Sequence, residues 1–143
     1  MPSMKLAVST KSEGPTSHHR TPTAEFWSTE HRMGGPADQP NPLQLLLASL
    51  TGCMSVVLQM VAQDKGWSEV RAEFAAEGEM DPRGFMGDPS VAPYFHTVEL
   101  EVRLYGVPQD SLDTVKQEVG RRCPVHRLME QAGVTIRESW VIQ

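Results

Sequence analysis

The chain has 143 residues, of which 39% are hydrophobic, and its formal net charge is -5 at pH 7. This length is enough to bury one sizeable core, so we predict a single domain over residues 1–143. The acidic balance, with no run of more than two Lys or Arg residues, gives no support for a nucleic-acid partner.

The first part of the chain is predicted to consist mainly of loops. Residues 4–9 alternate weakly between apolar and polar, which predicts a short edge strand. Residues 11–23 are rich in Pro, Gly, Ser and Thr and predict an exposed loop. The short aromatic stretch 24–28 (AEFWS) predicts a strand, and residues 29–40 a second loop.

A long helix over residues 41–67 is the strongest prediction in the chain. Asn41 is a good N-cap, Pro42 suits the first helical position, and Gly66 is a typical helix terminator. Apolar residues recur at helical spacing: Leu43, Leu46, Leu47, Leu50, Met54, Val57, Leu58 and Val61. The other faces are also largely apolar, so we predict a core helix that is buried on all sides.

The same stretch is long enough to cross a bilayer, which makes a membrane helix the alternative. Gln, Ser and Thr side chains interrupt it and no basic flank follows, so we expect no membrane partner. The first residues lack the apolar run of a signal peptide, and two cysteines are more typical of reduced thiols than of a disulfide framework. We therefore expect a cytoplasmic protein.

The second half of the chain shows the alternation of half-buried strands. It predicts strands over residues 70–77, 96–104 and 134–142, with a Pro- and Gly-rich loop over residues 80–93 between the first two. The strand at 96–104 has the most regular alternation.

Two further helices are predicted between the last two strands. Asp110 and Asp113 resemble a capping box that opens a helix ending near Arg121, and Cys123 and Pro124 open a shorter one. The residues expected to face inward are Leu112, Val115 and Val119 in the first helix and Val125, Leu128 and Met129 in the second. Strands, a central helix, more strands and more helices predict an α+β fold.

The two cysteines are the first candidates for chemistry. Cys53 lies within the long helix, where a free cysteine is most often a small buried hydrophobe. Cys123 precedes a helix N-terminus and follows Arg121 and Arg122, and these features favour a thiolate. Local electrostatics therefore predicts Cys123 as the reactive thiol, and Cys53 would need an external cation.

The histidines do not have the spacing of a metal site. They are His18, His19, His31, His96 and His126, and no HxxxH or CxxC occurs, so we expect no metal. His126, one helical turn after Cys123, is predicted to be a surface residue. No GxSxG, GxGxxG or GK[ST] motif occurs, which argues against a serine hydrolase and a phosphate-binding loop.

Two motifs together resemble one family. The segment NPLQLLLASLTGC, which opens a long helix running to KGW, resembles the first cysteine motif of the OsmC/Ohr superfamily, the osmotically inducible protein C and organic hydroperoxide resistance proteins. The segment CPVHRLM at Cys123 resembles the second motif, and the 70-residue separation of the cysteines also matches. The resemblance covers nearly the whole chain. It implies an OsmC-like α+β fold with a long buried central helix wrapped by antiparallel sheets, in an intertwined homodimer.

The resemblance also implies a thiol-dependent peroxidase that reduces organic hydroperoxides in oxidative stress defence. Cys53 would be the peroxidatic cysteine and Cys123 the resolving one, with an external dithiol reductant and no bound cofactor. This order is the reverse of the one that local electrostatics predicts. A binding or stress-associated dimer without efficient peroxidase turnover is the alternative, because a fold does not fix a function.

In the family, an arginine from an N-terminal loop activates the first cysteine, and a glutamate early in the central helix holds that arginine. Here Gln44 occupies the first helical turn, where an acid is expected, and it supplies no charge. Arg20 and Arg32 are both candidates for the arginine, and Glu30 is a possible holder. The sequence does not choose between the two arginines.

Overall fold

A computed structural model describes every residue from Met1 to Gln143. The chain has six strands and four α-helices and divides into two compact units, Met1–Leu46 and Leu47–Gln143. This mixture of a long helix and two small sheets confirms the predicted α+β class. The prediction of a single domain over the whole chain stays a prediction.

The first unit contains a three-stranded antiparallel sheet. Its strands are β1 (Ser9–Glu13), β2 (Thr16–Arg20) and β3 (Glu25–Thr29), in that spatial order. Strand β3 confirms the prediction at residues 24–28. The edge strand predicted at residues 4–9 is wrong, because the strand begins only at Ser9, and the predicted loop 11–23 largely forms strands instead.

A tight turn explains why the N-terminal loop prediction failed. Gly14 has a φ of +58°, a conformation that glycine adopts without steric cost, and with Pro15 it joins β1 to β2. Both strands are polar on both faces and β1 is fully exposed, so no apolar alternation marks them. Cross-strand pairing, such as Glu13 opposite Thr16, supplies the order that burial does not.

Helix α1 (Pro42–Lys65) confirms the predicted long helix. The Asn41 side chain accepts a hydrogen bond from the Gln44 N–H at 2.8 Å, and the Gln44 side chain accepts one from the Asn41 N–H at 2.9 Å. This reciprocal pair is a capping box. At the other end Gly66 has a φ of +74°, as expected for a residue that terminates a helix.

In this chain α1 is buried on one face only. The buried residues are Leu50, Met54, Val57, Leu58, Val61 and Ala62. In contrast, the side chains of Val56 and Met60 are 56% and 45% exposed. Complete burial within one chain was therefore a wrong prediction. By length and composition α1 could also cross a membrane, but core helices of soluble proteins commonly meet the same two criteria.

The sheet of the second unit is mixed. Its strands are β4 (Arg71–Glu79), β5 (Thr97–Tyr105) and β6 (Thr135–Ile142), in that order. Strands β4 and β5 pair antiparallel, whereas β5 and β6 pair parallel. The expectation of purely antiparallel sheets is therefore wrong for this unit. Parallel strands require a crossover connection, and the two helices between β5 and β6 provide it.

Three shorter helices complete the second unit. Helix α2 (Pro82–Phe85) is a single turn in the predicted loop, α3 spans Leu112–Arg122 and α4 spans Pro124–Gln131. The predicted capping box of α3 is absent, because Ser111 is the N-cap and its side chain makes no capping hydrogen bond. The prediction that Leu128 faces inward is also wrong, since 67% of it is exposed.

The core of the second unit lies between the inner face of β5 and the helices. Four alternate residues of β5 are almost completely buried: Val98, Leu100, Val102 and Leu104. Val115 and Val119 of α3 are buried to the same degree. This burial of apolar surface stabilises the unit and fixes the positions of α3 and α4, whose junction carries Cys123.

Candidate functional site

Cys123 lies at the junction of α3 and α4. It is the N-cap of α4, with Pro124 at the first helical position as the sequence predicts. The cysteine is completely buried, and its Sγ accepts a hydrogen bond from the backbone N–H of His126 at 3.4 Å. The N-cap position therefore directs the thiol toward the free N–H groups of the first turn.

Burial determines the protonation state of this thiol. It raises the pKa of Cys123 to about 11, and hydrogen bonding and charge repulsion from Cys53 act in the same direction. The backbone N–H groups of His126 and Val125 lower the pKa but do not offset the burial. The expectation that the helix terminus makes Cys123 a ready thiolate is therefore wrong.

The two neighbouring arginines also do not act as the sequence suggests. Arg121 pairs with Glu118 at 2.9 Å, and Arg122 pairs with Asp64 at 2.8 Å. Neither arginine is among the groups that shift the pKa of Cys123. Their charges are compensated by carboxylates, so they give the thiol no evident help.

Cys53 lies on α1 and is partly exposed, and both cysteines are free thiols. The structure places Cys53 near Cys123, because Cys53 is among the groups that raise the pKa of Cys123. On α1, the neighbouring residues Leu50 and Met54 are fully buried. A partly accessible thiol thus lies beside a buried one in an apolar setting, which is an arrangement that could cycle between dithiol and disulfide.

His126 is the buried centre of an ionic cluster beside Cys123. Only 5% of His126 is exposed, which corrects the prediction that it is a surface residue. Its Nδ1 lies 2.8 Å from Glu130 Oε1, and its Nε2 lies 3.3 Å from Glu138 Oε2. Trp140 Nε1 donates a hydrogen bond to the other oxygen of Glu138 at 3.0 Å.

The pKa values of this cluster move in opposite directions. The hydrogen bond to Glu138 raises the pKa of His126 above its usual value despite the opposing effect of burial, and Glu130 contributes in the same direction. Burial would raise the pKa of Glu138, but hydrogen bonds from His126 and Trp140 outweigh it and leave that pKa below its usual value. Both shifts favour the charged pair.

Two features of the sequence could have revealed this cluster. Glu138 lies between Ile136 and Trp140 at alternate positions of β6, which is the inward-facing series of that strand. A charged residue in an inward series requires a partner. The spacing of His126 and Glu130, four residues apart on one helix, provides a second sign.

The remaining candidate residues lie in the first unit. Arg20 Nε lies 3.4 Å from Glu25 Oε2. The Glu30 side chain accepts a hydrogen bond from the backbone N–H of Arg32 at 3.0 Å, which caps a short 3-10 turn. Gln44 closes the capping box of α1. Arg20, Glu30 and Gln44 therefore have local partners for their side chains.

Comparisons with known proteins agree with this architecture. A family model described as OsmC-like protein matches residues 35–139. A hypothetical protein from Aquifex aeolicus VF5 superposes with a TM-score of 0.77 at 16% identity, covering 99% of this chain and 98% of that one. An OsmC like protein from Mycoplasma pneumoniae gives a TM-score of 0.75 at 14% identity, with 97% of both chains covered.

A third solved structure carries a name that refers to hydroperoxides. It is an organic hydroperoxide resistance protein OsmC from Legionella pneumophila, with a TM-score of 0.70 at 16% identity and 98% of both chains covered. At such identities these likenesses show the fold alone. No curated protein matches the chain.

Proposed function

Because this chain belongs to the OsmC-like protein family, we propose that it is a thiol-dependent peroxidase that reduces organic hydroperoxides and serves in oxidative stress defence. The observation that carries the proposal is the contact between the thiols of Cys53 and Cys123. A pair of free cysteines in contact is what a peroxidatic and resolving cycle requires.

Cys53 is the proposed peroxidatic residue. Its thiolate attacks the terminal oxygen of the hydroperoxide, so that a sulfur–oxygen bond forms and the oxygen–oxygen bond breaks. The terminal OH goes to sulfur, so Cys53 becomes a sulfenic acid, and the alkoxide that leaves takes a proton from water to give the alcohol. The assignment rests on accessibility and on protonation, since Cys53 is partly exposed whereas Cys123 is fully buried with a pKa of about 11. At pH 7 only about one Cys123 in 10,000 would be a thiolate.

Cys123 is the proposed resolving residue. Its sulfur attacks the sulfur of the Cys53 sulfenic acid, a disulfide forms, and the hydroxyl group leaves as water with the proton of Cys123. Oxidation of Cys53 removes the thiolate charge that raises the pKa of Cys123. The first step therefore favours the second. An external dithiol reductant then restores both thiols by disulfide exchange, and no bound cofactor is needed.

The substrate and the activating cation follow from the same proposal. The sequence around Cys53 on α1 is largely apolar, which favours an apolar hydroperoxide. Arg20 and Arg32 are the proposed sources of the cation that stabilises the Cys53 thiolate. Arg20 resembles the family arginine in being held by a carboxylate, here that of Glu25.

The proposed working form is a cytoplasmic homodimer. The exposed apolar residues Val56 and Met60 of α1 support it, because a second copy of the helix would cover them. A reducing compartment would keep both cysteines in the free thiol form that the cycle starts from.

The two single cysteine variants test the proposal. We expect Cys53→Ser to abolish the reduction of cumene hydroperoxide in the presence of a lipoyl dithiol. Cys123→Ser should consume about one equivalent per chain and stop at a sulfenic acid, because the resolving thiol is missing. Dimedone labelling and intact-protein mass spectrometry locate the adduct, and the double variant serves as the blank.

Three outcomes would contradict parts of the proposal. A dimedone adduct at Cys123 in the Cys53→Ser protein would reverse the two roles. Turnover by both single variants would remove the cycle altogether. An inert wild-type protein with either reductant, lipoyl dithiol or dithiothreitol, would favour a binding or stress-associated dimer without peroxidase turnover.

A further inference from the structure

We propose that His126 is a positioning residue for Cys123, whose imidazolium locks the first turn of α4 onto β6 and so keeps the two thiols in contact. The proposal rests on the proposed function for its biological meaning. The positioning of the Cys53–Cys123 pair is a structural property, and the stability of its disulfide can be measured without peroxide.

The hydrogen-bond geometry requires a charged imidazole. A neutral imidazole has one N–H donor and one acceptor nitrogen, whereas the imidazolium has two donors. Both nitrogens of His126 face carboxylate oxygens, of Glu130 at 2.8 Å and of Glu138 at 3.3 Å. In the neutral form one nitrogen lone pair would face a carboxylate. The protonated form is therefore the one that satisfies both contacts.

Three elements meet at this ring. Glu130 belongs to α4 itself, one turn after His126, whereas Glu138 belongs to β6. On the side of α3, a Cβ added to Gly120 would lie 3.7 Å from Cε1 of the imidazole, so α3 packs closely over the ring. The pair with Glu138 is thus the tie between α4 and the sheet, and the helix start cannot shift without breaking it.

The link from His126 to the cysteine runs through the backbone. The N–H of His126 donates to Cys123 Sγ at 3.4 Å, so the residue that anchors α4 also holds the thiol. No hydrogen bond joins the imidazole ring of His126 to the sulfur of Cys123. We therefore assign His126 an indirect role, which acts through the placement of Cys123 and not through proton transfer to it.

Other charged groups lie beside the cluster and influence the pKa values of its members. Lys116 of α3 contributes to lowering the pKa of Glu138, and Arg127 Nη1 lies 3.6 Å from Glu130 on α4. Glu138 contributes more to the raised pKa of His126 than Glu130 does. The imidazole pKa therefore lies above its usual value, and removal of the Glu138 charge should lower its titration midpoint further than removal of the Glu130 charge.

The stability of the Cys53–Cys123 disulfide tests the positioning role. We measure its equilibrium with dithiothreitol redox buffers at pH 7, which needs no peroxide. His126→Gln should lower the equilibrium constant about tenfold, or about 30 mV in potential, because Glu130 and the part-buried Glu138 lose their shared donor and the Cys123 thiol is held less firmly. His96→Gln is the matched control, since His96 is exposed and its ring lies 4.0 Å from Glu79.

A second measurement covers the case in which His126→Gln fails to fold. Glu138→Gln keeps the size of the side chain, and the titration of His126 can be followed by NMR of the imidazole carbons. We expect a midpoint above the usual value in the wild type, a large fall in Glu138→Gln and a smaller one in Glu130→Gln. The disulfide equilibrium should weaken in the same order.

Two results would overturn the proposal. One is an equilibrium constant in folded His126→Gln that equals that of His96→Gln. The other is a His126 midpoint that both glutamine variants leave unchanged. A wild-type protein that is inert toward hydroperoxides but shows the expected equilibrium shifts would contradict the proposed function and leave the positioning role standing.

Discussion

The chemistry of Cys123 depends on a competition between burial and the helix terminus. A pKa of about 11 in place of 9.0 corresponds to about 3 kcal/mol against the thiolate. A charge at a helix N-terminus gains only about 0.3–1 kcal/mol when exposed. Because Cys123 is fully buried, desolvation exceeds the effect of the helix. Burial thereby favours the protonated form of this thiol.

The ion pair of His126 and Glu138 should make stability depend on pH. The folded state raises the pKa of His126, so its contribution is complete below about 6.5 and is lost as pH rises through the folded pKa. The folded state lowers the pKa of Glu138, so its contribution is present above about 4.5 and is lost as pH falls through the folded pKa. Both contributions are largest between these two values.

We therefore expect His126→Gln to lose about 1–3 kcal/mol of unfolding free energy at pH 5.5 relative to the wild type. The loss should be smaller at pH 9, where the wild-type imidazole is increasingly neutral. Urea denaturation at one fixed protein concentration measures both values. His96→Gln is the matched control, and an equal loss at the two pH values for His126→Gln would refute the expected titration.

At the scale of elements, the sequence predicts the helices and strands that bury an apolar face. Helix α1 and strands β4, β5 and β6 were predicted because their apolar residues recur with the period of the element. The hairpin of β1 and β2 was missed because its strands are polar on both faces.

The parallel pairing of β5 with β6 and the contact between His126 and Glu138 were missed for a different reason. Both join parts of the chain that only the tertiary fold brings together. The inward position of Glu138 indicates that it needs a partner, but it does not identify that partner. The family resemblance supplied the two cysteines of the site. It did not supply the partners that hold Cys123 in place, because the motifs that carry the resemblance do not include Glu138.

Gln44 is a candidate site residue that has a structural role at the start of a helix. It closes the capping box with Asn41 at the start of α1. We expect Gln44→Ala to lower the unfolding free energy by about 1 kcal/mol, because a capping interaction is lost. Gln44→Glu should keep the stability, since glutamate is equally able to close the box and its charge suits a helix N-terminus.

Urea denaturation at fixed protein concentration measures these differences. Gln63→Ala is the matched control, because Gln63 is exposed near the other end of the same helix. Equal stabilities of Gln44→Ala and Gln63→Ala would show that the capping box contributes nothing.

At the scale of the whole molecule, α1 has one side on which apolar residues are exposed. Gly52, Val56 and Met60 follow one another at intervals of four residues and therefore share one face of the helix. All three are exposed, and a Cβ added to Gly52 would meet no atom within 4 Å. The missing side chain at Gly52 would let a second helix approach closely, so this face suits a symmetric contact between two copies of α1.

The last prediction concerns this face. The wild-type protein should sediment as a dimer at micromolar concentration, and Val56→Glu should sediment as a monomer. In a two-fold interface each copy buries the introduced carboxylate, so the cost of several kcal/mol per buried charge is counted twice and the dissociation constant rises more than about a hundredfold. Val141→Glu, the same substitution at a 41% exposed position of β6, is the control and should remain dimeric. A wild-type monomer at micromolar concentration would refute the dimer and leave the exposed face of α1 without its proposed partner, whereas a dimeric Val56→Glu protein would locate the interface elsewhere.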